Sequence, residues 1–491
     1  MMDTVLALDF GTQGVKALLV DTHGALLARR YAHYPFSMNR GGLMEQRPGD
    51  WVDAAIATIA SLRDCEGFQH IAAVGLSGHM HGVVPLDASG APTYDCILWC
   101  DTRCGEQLGR VGARLSSQTL SSLQNPLATA YTMGKLVWLR EHVPQAWDRT
   151  RRVLYCKDYI RFLLTGEQAT DYSDASGSLL YDFAQNCWSL EACEAAGISP
   201  VLLPQILPSC VPAGRVTQEA ARSFGLPAGI PVAVGSGDLA ASLLGSGVSG
   251  EGELLINLGT AGQVLAVSEG TRKLHGGYRF KFLDDTMDML LFSLPSAAYC
   301  VRWYAEQIEP GLARDAEAAG IPPFEQMHRL AARAPAGAGG LLFAPYLSGS
   351  GSPHFDDAVR GAWIGLDSAH THEELCRSIL EGVAYGVRQC VEESGCHGEI
   401  TLSGGGAQSA LWRRILADVL GRTLLCPKNG ETTGIGAAIM AMRAVGIDDA
   451  QVRSLARVGD RIDADPNGTE KYGPLYQRFT RLYELLRQMK Q

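Results

Sequence analysis

A chain of 491 residues is too long for one ordinary domain and predicts two sizeable ones. Hydrophobic residues at 46% and charged residues at 19% describe a globular protein with ample core material. The net charge of −10 argues against non-specific binding to nucleic acid or an anionic membrane, and a polyanionic ligand would need local cations, a metal or oriented backbone N–H groups.

In chain order, TVLALDF (4–10) is apolar on both faces, as expected of a strand covered on both sides. Asp3 and Asp9 interrupt the apolar stretch, so no leader peptide is read there. No uncharged apolar run approaches the ~18 residues of a membrane span. A soluble, cytoplasmic protein is therefore expected. The turn GTQG (11–14) leads into VKALLVD (15–21), the turn THG and ALLARRYAHY (25–34), which predicts an N-terminal β-meander. DWVDAAIATIASL (50–62) has helical periodicity, and IAAVGLSG (71–78) and IPVAVGSGD (230–238) read as buried strands. The 13 cysteines contain no C-x-x-C pair. The densest group, Cys96, Cys100 and Cys104, reads as thiols of a reducing compartment. Glycines and serines cluster in LLGSGVSGEGE (243–253), which suggests domains over residues 1–247 and 248–491.

The opening pattern then returns. ELLINL (253–258), GTAG (259–262) and QVLAVSE (263–269) repeat strand, Gly-Thr-x-Gly turn and strand, 248 residues on (259 − 11). Duplication of an α/β unit is the better reading than coincidence. ITLSGGGAQS (400–409) runs from an apolar strand into a third glycine turn, followed by a helix over ALWRRILADVLG (410–421). The C-terminal PLYQRFTRLYELLRQM (474–489) spaces Leu475, Phe479, Leu482, Leu485 and Leu486 on one face of a packed helix.

Glycine turns after strands suit phosphate binding, because the absent Cβ lets backbone N–H groups approach oxygen atoms. Neither the G-x-x-x-x-G-K-[ST] loop nor a dinucleotide G-x-G-x-x-G follows the first strand. Asp9 is either a turn residue or a ligand for the cation that phosphates need in an acidic protein; Mg²⁺ prefers carboxylate and water oxygens. Asp238 is either a helix N-cap or a carboxylate placed at a strand end to accept a hydroxyl proton. Phosphoryl transfer needs an aligned acceptor, neutralised phosphates and excluded water, and two such carboxylates would serve it.

LDFGTQGVK, GHMHG (78–82), LWCDTRC (98–104), KDYIRFLLTGE (157–167), TDYSDASG (170–177), VGSGDLAAS (234–242), LGTAG, PYLSGSGSPH (345–354), GAWIGLDSAHTHEELCRSILE (361–381) and LSGGGAQS fall in one order. That ordered set resembles the FGGY family of carbohydrate kinases over essentially the whole chain, with the xylulokinases the most similar group within it. The resemblance implies two actin-like (ribonuclease H-like) α/β domains flanking an ATP/sugar cleft. It implies ATP, Mg²⁺ and a small sugar as ligands, with no nucleic acid or membrane partner and a homodimer left open. By position, Asp238 matches the proton acceptor, and Asp9 the aspartate linked to Mg²⁺ and phosphate. Gly11, Thr12, Gln13 and Lys16 match the first phosphate motif, Gly259 and Thr260 the second, and Gly405 and Gly406 the adenosine motif. Met80 and His81 match the sugar-contacting pair, and Asp101 and Arg103 the support of the sugar side.

Three positions depart from the xylulokinase pattern. Leu239 stands where an asparagine follows the base, His79 replaces a sugar-side glutamine, and GSGSPH lacks the two charges of the usual loop. The implied reaction converts D-xylulose to D-xylulose 5-phosphate. A site that loses a hydroxyl-bonding side chain discriminates differently, so another pentulose or a polyol of the ribulose, erythritol or glycerol type stays open. An actin- or Hsp70-type ATPase and a catalytically silent sugar sensor are the alternatives from other classes.

Overall fold

TVLALDF forms β1 (Thr4–Phe10), and all seven of its side chains are buried. A strand with no solvent face is one whose sheet is covered on both sides. β2 (Gly14–Asp21) and β3 (Leu26–His33) complete the expected meander, paired antiparallel so that Asp9 stands opposite Lys16. There follow α1 (Pro48–Ala60), β4 (Ile71–Gly78), α2 (Thr132–His142), α3 (Cys156–Thr165) and the short α4 (Tyr172–Ser176). Next come β5 (Pro212–Arg215), β6 (Pro231–Ala233), the two-residue β7 (Ser236–Gly237) and α5 (Asp238–Gly245). The later part of the chain supplies β8 (Leu254–Leu258), β9 (Gly262–Glu269), β10 (Tyr278–Lys281), β11 (Met287–Leu294) and α6 (His372–Ser394). It ends with β12 (Ile400–Ser403), α7 (Ala410–Leu420), β13 (Leu424–Pro427), α8 (Thr432–Ala444), β14 (Val458–Ile462), α9 (Pro466–Phe479) and α10 (Leu482–Gln488). This computed structural model describes residues 3–39, 43–270, 274–428, 430–447, 456 and 458–489.

The chain forms two units. The first holds Met1–Gly247, Arg279–Asp288 and Glu431–Arg457; the second holds Val248–Tyr278, Met289–Gly430 and Val458–Gln491. The first sheet runs β5-β6-β4-β1-β2-β3 and the second β14-β13-β12-β8-β9-β11-β10. Their first six positions correspond one for one. In each, the opening strand pairs parallel to a central strand (β1 with β4, β8 with β12) and antiparallel to the strand after its glycine turn. The two Gly-Thr-x-Gly turns thus occupy equivalent places in two α/β sheets.

Register places the site of the first unit. Asp9 lies opposite Ser77, and Ser77 lies opposite Ser236. Only β4 separates β1 from β7, so Asp9 and the Gly237–Asp238 step sit at the same ends of two parallel strands that flank it, about 10 Å apart across two strand spacings. One face of the sheet packs Leu6, Leu8 and Phe10 with Trp51, Ala55 and Ile59 of α1. The other takes α8, whose glycines and alanines allow backbone-close packing. A Cβ on Gly75 would lie 1.9 Å from the Ala437 carbonyl oxygen. A Cβ on Gly436 would lie 1.9 Å from that of Ala241 in α5.

The C-terminal stripe differs from its sequence reading. The helix begins upstream at Pro466, capped by Asp465, and breaks at Thr480–Arg481 into α9 and α10. Phe479 and Leu482 are buried and Leu475 and Leu486 pack against the core, but Leu485 is 55% exposed. The break resets the helical phase, which turns Leu485 away from the stripe.

Candidate active site

The first glycine turn presents its amides. The Gly11 carbonyl accepts from the Tyr34 hydroxyl, the Thr12 carbonyl from the Gln46 side-chain amide at 2.6 Å, and the Gln13 carbonyl from the Tyr31 hydroxyl and the Tyr34 N–H, both at 3.2 Å. In a trans peptide the N–H points opposite to the carbonyl. Gripping three successive carbonyls therefore turns the N–H groups of Thr12 and Gln13 the other way, as an anion-binding nest requires. Gly14 is obligatory, because a Cβ there would lie 2.5 Å from the Ala32 carbonyl oxygen.

Asp9 is buried at the end of β1 and accepts a hydrogen bond from the Ser77 hydroxyl at 2.8 Å. Burial raises its pKa, with the Ser77 bond and the Lys16 charge opposing and Glu431 adding to the rise. Lys16 pairs with Glu431 at 3.0 Å, and Arg29 reaches the other oxygen of the same carboxylate at 3.0 Å. The predicted phosphate lysine is thus held beside a carboxylate immediately ahead of α8.

Asp238 is the first residue of α5, behind Gly237 at the N-cap and Gly235 at a φ of 80°. Two backbone N–H groups, its own and that of Leu239, favour its carboxylate. Burial, and after it the charge of Asp9, prevail and lift its pKa from 3.8 to about 7. Such a carboxyl is half ionised near neutrality, where a proton acceptor works best. Met80 is buried against this step, since a Cβ on Gly237 would come within 2.5 Å of the Met80 Cγ.

His81 adopts a left-handed backbone with φ 68°. Its carbonyl is clamped by the buried Lys135 ammonium at 3.0 Å and the Thr132 hydroxyl at 3.3 Å. Its Nδ1 lies 2.8 Å from the Gly177 carbonyl oxygen. A carbonyl only accepts, so Nδ1 carries the proton and Nε2 is left as an acceptor. Burial, then the Lys135 charge, lowers its pKa to about 3 and keeps the ring neutral. The rings of Tyr131 and Phe280 flank it at 5.0 Å and 5.7 Å between centroids.

His79 turns into the interior, its ring 5.4 Å from that of Trp51 and its pKa lowered to about 4 by burial and then by Lys135. Asp101 and Arg103 are bound to one another. The Arg103 guanidinium forks onto Asp101 at 2.7 and 2.9 Å, reaches Glu45 at 2.6 Å and stacks over Trp138 at 4.6 Å. Asp101 also accepts the Met44 N–H at 2.6 Å.

In the second unit the Gly259 carbonyl accepts from the Ala298 N–H at 3.1 Å, and the Thr260 carbonyl from the N–H groups of Ala297 and Tyr299, each at 3.1 Å. The N–H groups of Thr260 and Ala261 face away by the same peptide geometry. At the third glycine turn, Gly404 has φ 88°, Gly406 packs against Leu258 and Trp412, and Gly405 is open. A cavity of about 420 Å³ lies beside this turn at the ends of β12 and β13, with Gly404, Ala407, Gln408, Arg413, Lys428 and Asp460 in its lining. That volume suits a nucleoside-sized ligand.

Ser77, Glu431, Tyr131, Phe280 and Lys135 join these clusters without having been singled out in the sequence. Ser77 was within reach, since it belongs to a strand whose parallel pairing with β1 fixes its partner. The others come from distant segments and carry no local signature.

Two sheets of one topology, each with a glycine turn exposing amides, define a two-unit α/β protein of the phosphate-binding kind. The chain belongs to the FGGY family of carbohydrate kinases: the N-terminal domain of that family matches residues 4–245 and the C-terminal domain residues 256–445. It is therefore a sugar kinase, a transferase that passes a phosphoryl group from ATP to an alcohol. A xylulose kinase of Bacillus subtilis (strain 168) is 32% identical over 452 residues, covering 90% of this chain and 88% of the relative. One from Escherichia coli (strain K12) is 30% identical over 490 residues, covering 98% and 99%. The crystal structure of a xylulose kinase from Rhodospirillum rubrum superposes with a TM-score of 0.91 at 30% identity, covering 99% of both chains. Among the described residues no helix is long and apolar enough to cross a membrane.

Proposed function

We propose that this chain phosphorylates a ketopentose, D-xylulose, at its 5-hydroxyl, giving D-xylulose 5-phosphate and ADP. The observation that carries the reading is Asp238, a strand-end carboxyl lifted to about 7 with Asp9 across one intervening strand. As the sugar oxygen bonds to the γ-phosphorus, the bond from phosphorus to the β–γ bridging oxygen breaks and the hydroxyl proton passes to Asp238. The neutral His81 offers Nε2 to a sugar hydroxyl, and Met80 packs the base's turn from the sugar side. The amides of Thr12 and Gln13, with Lys16, receive the phosphates. Within the second unit, Gly259 and Thr260 serve as phosphate contacts and Gly405 and Gly406 as adenosine contacts. The names of the relatives support the choice of sugar.

Asp9 fits a magnesium ion. Its buried carboxylate is destabilised by burial, and its nearest cation, Lys16, is shared with Glu431. Among the described residues no group of three or more His, Cys, Asp or Glu side chains could hold a metal, so the remaining ligands would be phosphate and water oxygens. When bound, the ion neutralises phosphate charge. A cytoplasmic location belongs to the same reading, and a homodimer is compatible with it.

The test is a coupled ADP-release assay with D-xylulose, L-xylulose, D-ribulose, L-ribulose, glycerol and erythritol under identical conditions. D-xylulose is expected to rank first. A second reading, another pentulose or a polyol, is favoured by Leu239 beside the base, and a low rank for D-xylulose would establish it. ATP hydrolysis indifferent to every sugar would overturn both.

A further inference from the structure

The segment TDYSDASG (170–177) has no part in the reaction as proposed above, yet its surroundings are unlike ordinary core. Lys157 Nζ lies 2.8 Å from Asp158, 2.7 Å from Asp171 and 2.7 Å from Asp174, and Arg161 lies 2.8 Å from Asp158. None of these five side chains is exposed. Burial raises the pKa of Asp174 well above the ordinary carboxyl range, against the opposing charge of Lys157. Buried ion clusters of this kind are a weak source of stability, since apolar side chains of similar volume commonly do as well.

Two contacts run from this cluster and the adjoining Ser173 to the segment that leads into Asp238. The Arg161 guanidinium donates to the Val234 carbonyl at 2.6 Å. The Ser173 hydroxyl donates to Asp171 and accepts the Gly237 N–H at 2.9 Å. A carboxylate only accepts and a peptide N–H only donates, so the hydroxyl between them has one orientation. Asp171 also caps α4 through the Ser173 N–H at 2.7 Å. At the other end of α4, the Gly177 carbonyl takes His81 Nδ1. One short helix therefore grips the peptide ahead of Asp238 at its start and His81 at its finish.

We infer that Ser173 is a positioning residue for Asp238: its hydroxyl, oriented by Asp171, fixes the Gly237 peptide and so aims the carboxylate at the acceptor hydroxyl. The inference rests on the reading of Asp238 as the base. Loss of the hydroxyl leaves a buried N–H unpaired and lets the Gly237 step relax, which is expected to lower turnover about tenfold. The experiment is a double-mutant cycle of Ser173→Ala and Asp238→Asn, read as D-xylulose-dependent ADP release with separate kcat and KM for sugar and ATP.

The expected result is a drop in kcat for Ser173→Ala with both KM values within about twofold of wild type, and no further loss when Ser173→Ala is added to Asp238→Asn. Equal losses in both backgrounds, or a loss confined to KM, would overturn the positioning role. If Asp238→Asn alone keeps near-normal turnover, the base reading fails first, and the inference falls with it on separate grounds. Asp171→Asn is the second variant should Ser173→Ala not fold. It keeps the hydroxyl but removes the charge that orients it, and the same non-additivity with Asp238→Asn must appear.

Discussion

Replacing Asp238 by asparagine should make the protein more stable while disabling it, and the size of the effect follows from its surroundings. The carboxyl titrates near 7 in the folded chain and near its ordinary 3.8 in the unfolded one. The gap, at about 1.4 kcal/mol per pH unit, amounts to about 4 kcal/mol. Asp238 keeps some exposure, so about 2 kcal/mol is the working figure. The sign follows from the folded value being the higher: the carboxyl's contribution is fully present below about pH 4 and is lost as pH climbs to about 7. Asparagine does not titrate, so Asp238→Asn should gain on wild type through that window and hold a constant lead above it. Thermal midpoints at pH 5, 6, 7 and 8 should show a difference growing to roughly 4–8 °C. Sugar-dependent kcat should fall by about 10²-fold or more at pH 8, and wild-type kcat should decline below about pH 7. A midpoint difference that stays flat from pH 5 to 8, or wild-type turnover insensitive to pH in that range, would refute the reasoning.

Other outcomes follow from contacts described above. Leu239→Asn places a hydroxyl-bonding amide beside Asp238 and should raise kcat/KM for D-xylulose at least tenfold relative to glycerol, measured side by side. Gly436→Ala sets a Cβ 1.9 Å from the Ala241 carbonyl oxygen, so α8 and α5 must part, with a loss of about 1–3 kcal/mol in thermal or urea unfolding. Gly109→Ala, on a helix with no atom within 4 Å of the new Cβ, should instead stabilise by about 1 kcal/mol in the same measurement. Arg103→Met strands the buried Asp101 carboxylate and should cost about 3–5 kcal/mol of stability, whereas a surface pair of the same chemistry would cost far less.

The β-meanders were legible because each needs only local cues: an apolar run, a glycine turn and another apolar run. The repetition of that cue in the second half predicted the second sheet. Asp9 and Asp238 stood out as charges at the ends of buried strands, yet their adjacency depends on the register of β4 between them, which hydrophobic periodicity cannot supply. Lys16 could be read as a phosphate contact but not as the partner of Glu431, because that pairing joins residues from opposite ends of the chain. Arg103 and Asp101 read as sugar-side residues by position, while their side chains are spent on one another and on Glu45. The C-terminal stripe was read as one helix because periodicity has no means of marking the break at Thr480.

The crossing of α8 over α5 also bears on how the protein is made. The helix headed by Asp238 rests, backbone against backbone, on a segment translated almost 200 residues later (432 − 238 = 194). A nascent chain that has emerged only as far as Gly247 holds every first-unit motif quoted from the sequence, yet lacks the buttress beneath that helix. Asp238 thus gains its final setting only after the later part of the polypeptide has been synthesised, so a fragment ending near Gly247 should neither turn over sugar nor remain well packed.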